Sequence, residues 1–198
     1  MRKSLTLFLL LVICNAIFAQ TVNNSPLFDF NKSRNNRTEK GLDVLGVWAL
    51  GNVVASSYLY YHSTGSDKYF NQMNVMWNGA NTLIVVASLL PKQKNDLNLN
   101  KTLQWQSNTE SVYIASAALD LLYSSVGLYL TEKAKSDLVN RDKWNGWGNA
   151  LIYNGGFLFL FDTSMFIIHK HNGKKLYNMM EKVNVSTSGL GLKVTMHL

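Results

Sequence analysis

Apolar and polar residues occupy long alternating blocks of the chain. Four apolar runs, at about 42–61, 69–90, 111–131 and 145–169, are separated by short polar stretches. Each run is about 20 residues or more, and at ~1.5 Å per residue such a helix crosses a ~30 Å hydrocarbon layer. No charged residue occurs from Val44 to Tyr61 or from Tyr69 to Pro91. "NRTE" before the first run and "SNTE" before the third match a capping box, with Asn36/Glu39 and Ser107/Glu110 as the pairs. Pro91 stops the second run, and "STGSDK" turns the chain between the first two.

Within each run the polar residues fall at helical spacing. They are Asn52 and Ser56 in the first, and Asn71, Asn74, Asn78, Asn81 and Ser88 in the second. The third carries Ser116, Asp120 and Ser124, and the fourth Asn154, Asp162 and His169. A helix on the surface of a soluble bundle has a narrow apolar arc and charges opposite. Here the polar arc is the narrow one. That inversion predicts a transmembrane bundle whose polar stripes turn inward, where Ser, Asn and Gly let helices approach and hydrogen-bond.

Matching pairs suggest a duplicated hairpin. "TE" at 38–39 recurs at 109–110, "YL" at 58–59 recurs at 129–130, and Trp77 and Ala80 recur as Trp147 and Ala150. Two αα-hairpins then give an all-α, four-helix bundle over residues 38–176. The tail, 177–198, changes period: Leu190, Leu192, Val194, Met196 and Leu198 alternate with smaller or polar residues, which reads as a short β-hairpin. Tyr58, Tyr60, Tyr61, Tyr69, Phe70, Tyr129, Trp144 and Trp147 gather at one end of the runs, where an aromatic belt would meet a membrane interface.

The N-terminus has a basic start, Arg2 and Lys3, an apolar stretch from Leu5 to Ile13, and "AIFA" before Gln20. This reads as a signal peptide over residues 1–19, followed by a flexible, Asn- and Ser-rich leader at 20–37. The one cysteine, Cys14, lies inside the signal segment, so the exported chain is expected to lack thiol chemistry. The formal net charge is +7, or +5 once Arg2 and Lys3 are removed (7 − 2). No basic stripe with interleaved aromatics accompanies it, so nucleic acid is not an expected partner. The expected partners are the lipid bilayer and an envelope protein or a second copy of the chain.

The charge bias conflicts with the signal. Four crossings from an exported N-terminus leave Lys68, Lys133, Lys135, Arg141 and Lys143 inside, with the larger share of Lys and Arg outside, against the positive-inside rule. The inner membrane is the first expectation; periplasm and outer membrane are the alternatives.

"LGVWALGN", "KYFNQMNVMWNGAN" and "FLFLFDTSMFIIHKHNGKKL" together resemble a domain-of-unknown-function family of small exported multi-helix membrane proteins of Gram-negative bacteria. The likeness covers roughly residues 38–176. It implies a signal peptide and a helical bundle, and transfers no catalytic or binding residue.

Asp120 and Asp162 carry the chemistry. An ionised Asp at the centre of a membrane helix costs ~2.5–3.5 kcal/mol on insertion scales, unless a proton, partner or water offsets it. With the third and fourth helices antiparallel neighbours, both carboxyls fall near mid-depth. Together with Asn52, Asn78, Asn81, Ser116 and Ser124 they form an interior seam able to bind a small ligand or cation, or to handle protons. The alternative is a non-catalytic structural or assembly protein whose polar residues only fix helix register. His169 and His171 in "HKHNGKK" read as a cationic helix end with Lys170, Lys174 and Lys175 rather than a metal site. No nucleophile elbow, phosphate loop or zinc spacing occurs, so neither catalysis nor a cofactor is expected.

Overall fold

Helices begin well before two of the apolar runs do. The computed structural model describes residues 26–89, 97–181, 183–188 and 191–196. The signal segment, the first leader residues and Pro91 lie outside that set. Helix α1 spans Pro26–His62, α2 Gly65–Leu89, α3 Leu99–Lys133 and α4 Arg141–Glu181. Pro26 suits a first helical position, where its missing N–H would be unpaired anyway, and Asp29 complements the positive end of the dipole.

Residues 26–37, expected as a leader, are therefore the first turns of α1, and Asn36/Glu39 lies inside the helix rather than capping it. Ser107/Glu110 is likewise internal to α3. The true N-cap is Asn98, whose side chain accepts from the Lys101 N–H at 3.1 Å. Tertiary contacts explain both extensions. Asn31 donates to Thr102 Oγ1 at 2.9 Å, Ser33 to Asn172 Oδ1 at 3.2 Å, and the Arg34 guanidinium lies over Trp105 at 5.2 Å. Packing, not propensity, holds these polar turns helical. Asn31 and Thr102 are 71 positions apart, the offset of the sequence repeat, so α1 and α3 start side by side and run parallel.

Two hairpins result. Gly65, with φ of +58°, turns α1 into α2. Between α3 and α4, Asp137 accepts from the Asn140 N–H at 3.1 Å and from the Trp144 indole N–H at 2.8 Å. That carboxylate is held below its usual range, first by the Trp144 bond and then by Asn140. α1 packs on α2, α3 on α4, and α2 joins the hairpins by packing on α4. The α3–α4 seam is close because glycines meet: a Cβ at Gly127 would lie 2.6 Å from the Gly148 carbonyl oxygen, and one at Gly148 2.6 Å from that of Gly127. Beyond α4, Val183–Ser188 (β1) and Gly191–Met196 (β2) run antiparallel with Val185 opposite Val194.

Polarity runs inside out. Asn74, Asn78, Asn154, Gln106 and Arg34 are buried, while Val47, Val54 and Leu83 are 75%, 70% and 71% exposed. Water would favour the reverse. Among the described residues three helices are long and apolar enough to cross a membrane: α1 and α3 with mean hydropathy 1.3, and α4 with 1.5. α2, expected to be a fourth, is not among them. Its Asn row lowers its hydropathy, and that row faces α1 and α4 rather than lipid.

Candidate functional site

The polar stripes meet, but in separate clusters. At the centre, Asn74 Nδ2 donates to Asn52 Oδ1 at 2.9 Å and to Ser56 Oγ at 2.7 Å. Asn78 donates to Asn154 Oδ1 at 2.8 Å and to Asn74 Oδ1 at 2.9 Å, and Asn154 donates to Asn74 Oδ1 at 2.7 Å. One amide cluster thus ties α1, α2 and α4. Its members bond chiefly to each other, Asn78 Oδ1 has no partner among the described residues, and none of Asn52, Asn74, Asn78 and Asn154 lines the neighbouring crevice. Asn52 and Asn78 thus lie in this amide cluster, with Asn74, Ser56 and Asn154, and not at the carboxyl pair. Polar side chains at helical spacing on otherwise apolar runs were the signal for these residues.

Asp120, Asp162, Asn81 and Ser116 occupy a different place. α2 and α3 both pack along α4 and diverge from each other, leaving a crevice of about 1640 Å³. α4 supplies its floor through Leu158, Phe161 and Asp162. Trp77 of α2 meets Tyr123 of α3 edge-on at 4.6 Å and closes one end. The first turns of α1 frame the other end, where Asn31 reaches Thr102. Asp120 and Asp162 are buried, and their carboxyls lie close enough to interact directly. Asp120 Oδ2 and Asn81 Nδ2 have no hydrogen-bond partner among the described residues. Ser124 is apart from this group, packed against Gly155 at the α3–α4 seam.

A third cluster stands beyond the apolar runs. Gln106 Nε2 donates to the His169 carbonyl at 2.8 Å and to Glu110 Oε1 at 2.9 Å, and Lys170 pairs with Glu110 at 3.3 Å. Burial pulls the Arg34 guanidinium down to about 10. His169 is fully buried and stacked on Tyr113 at 5.3 Å, so it is not part of an exposed cationic helix end. α4 in fact continues to Glu181, which makes 169–171 mid-helix. Sequence reasoning missed this cluster because Asn31, Arg34 and Gln106 sit in stretches that look like linker.

A family model described as a family of unknown function, DUF6992, matches residues 44–163, which is 120 of 198 positions (163 − 44 + 1). The chain belongs to the DUF6992 family. The DUF6992 region holds the amide cluster, Asn81, Ser116, Ser124 and both carboxyls of the crevice. It leaves out the first turns of α1 and the end of α4, which carry Arg34, His169 and Asn172. No curated protein and no solved structure matches the chain.

Proposed function

We propose that this DUF6992 member is an exported four-helix membrane protein that binds a small ligand or cation, or handles protons, at the Asp120–Asp162 pair. One observation carries the reading: two buried carboxyls from adjacent helices converge at the wall of a crevice, with no Lys or Arg paired to either among the described residues. A purely structural carboxylate would be expected to have its acceptors filled. Here an exchangeable proton or a cation completes the pair, because two adjoining carboxylates are not both ionised without compensation. The outward apolar faces support placing the bundle in a bilayer, with α2 crossing as the screened fourth helix. The signal-like N-terminus supports export, and the apolar helices favour the inner membrane, against the Lys and Arg bias.

The test uses purified full chain in detergent micelles, titrated with monovalent and divalent cations while tryptophan emission is followed. Trp77 lines the crevice and reports on it. The double variant Asp120→Asn, Asp162→Asn keeps volume and removes charge. A loss of the cation response is expected; an unchanged response sinks the reading.

The amide cluster, whose members bond chiefly to one another, favours a second reading, a structural or assembly protein of the envelope. There the tail, paired as a β-hairpin, would be the docking element. Removing residues 183–198 would then damage envelope integrity, whereas the first reading expects no change in cation response.

A further inference from the structure

The crevice is acidic in a basic protein. Among the described residues its lining carries Asp29, Glu39, Asp120 and Asp162 against the single base Lys32, while the whole chain has a formal net charge of +7. The acids reach its depth, with Asp120 4% and Asp162 9% exposed. Asp120 Oδ2 is an unfilled acceptor there. On the α2 wall Asn81 has an unpartnered Nδ2, and either end of its amide can turn toward an occupant.

Around the two carboxyls the wall is mainly apolar and aromatic, with Ser116 and Asn81 among it, while Asn, Ser and Thr side chains line the end nearer α1. Trp77, Tyr113, Tyr123 and Phe161 surround the carboxyls. Ile84 on α2 and Leu119 on α3 line the space and are also exposed at the apolar outer surface, so the opening faces the bilayer. A small hard metal ion favours several carboxylate oxygens, and among the described residues no third acidic side chain, His or Cys joins the pair. An anion meets the carboxyls. A large organic cation satisfies every element: its charge faces the carboxyls, the rings offer their negative faces, and its apolar body leaves water or lipid for the walls.

We infer that the crevice receives a lipophilic organic cation from the bilayer through the opening between α2 and α3, with the cationic centre at Asp120 and Asp162. This rests on the reading of the carboxyl pair as a ligand site and narrows its ligand to one chemical class.

The probes are tetraphenylphosphonium and tetraphenylborate, which match in size and apolar surface and differ in sign. Binding to the full chain in micelles is measured by equilibrium dialysis, with protein-free micelles subtracted. Tetraphenylphosphonium binds and tetraphenylborate does not. The double variant Asp120→Asn, Asp162→Asn weakens phosphonium binding by about tenfold or more, the scale of one lost charge-assisted contact. Leu119→Trp, at a 48% exposed position on the mouth, blocks the phosphonium without touching the carboxyls, and keeps the test open if the double variant fails to fold. Equal binding of the two ions, or binding indifferent to both variants, overturns the inference. A response to inorganic cations that depends on the carboxyls, with no phosphonium binding, overturns it and leaves the proposed function standing. No response to any cation removes both.

Discussion

Asn154 sits mid-way along an apolar helix and satisfies two other amides, accepting from Asn78 and donating to Asn74. Replacing it by Leu removes two buried side-chain hydrogen bonds, while Asn78 Nδ2 and Asn74 Oδ1 keep the bond to each other. The expected cost is about 1–3 kcal/mol, read as a lower thermal midpoint in micelles. Asn52→Leu removes only one acceptor of Asn74, which keeps Ser56, so a smaller drop is expected. Asp137 gives a pH-dependent counterpart. Its folded affinity for a proton is depressed, so its contribution is present above about pH 3.9, the ordinary aspartate value, and is lost as pH falls through the lower folded value. Asp137→Asn should therefore lower the thermal midpoint at neutral pH, with the gap to wild type closing in acid.

At the scale of elements, the α3–α4 seam depends on Gly127 and Gly148 more than on any large side chain. Gly127→Leu pushes the helices apart at the backbone. A loss of about 1–3 kcal/mol is expected from the overpacking, along with a longer spin-label distance between α3 and α4. An unchanged distance would count against the seam. How far the sequence discloses these elements depends on where burial falls. The stripes on α2 and α4 are legible because Asn and Asp stand out against long apolar runs. The start of α1 is not, because Asn31, Ser33 and Arg34 are polar whether solvated or packed, and only contact with Thr102, Asn172 and Trp105 decides between the two. The division of one expected seam into an amide cluster and a carboxyl crevice is equally hidden. It follows from α2 and α3 both packing on α4 rather than on each other, a tertiary arrangement that no residue type announces.

At the scale of the whole molecule, the apolar exterior makes a membrane the natural surrounding. Carbonate washing of fractionated cells should leave the tagged protein in the pellet; release to the supernatant would overturn that placement. The aromatic end of the bundle adds a second expectation. Lys133 lies over Trp144 at 4.1 Å and Lys143 over Trp147 at 4.6 Å, so this end pairs rings with cations at one level. Dye-accessible cysteines introduced at exposed Val139 and at Lys32 report opposite sides of the bilayer if the helices span it.

The amide cluster also sets an order of events during synthesis. Asn74 and Asn78 belong to α2, the helix too polar to meet the criteria for crossing alone, and their partner Asn154 is made 76 to 80 residues later. A ribosome has finished all of α3 before that amide exists. Until then α2 must stay beside the insertion machinery or shelter against α1 through Asn52 and Ser56. A nascent chain arrested after α3 should therefore crosslink to the translocation channel through α2, and one arrested after α4 should have let go.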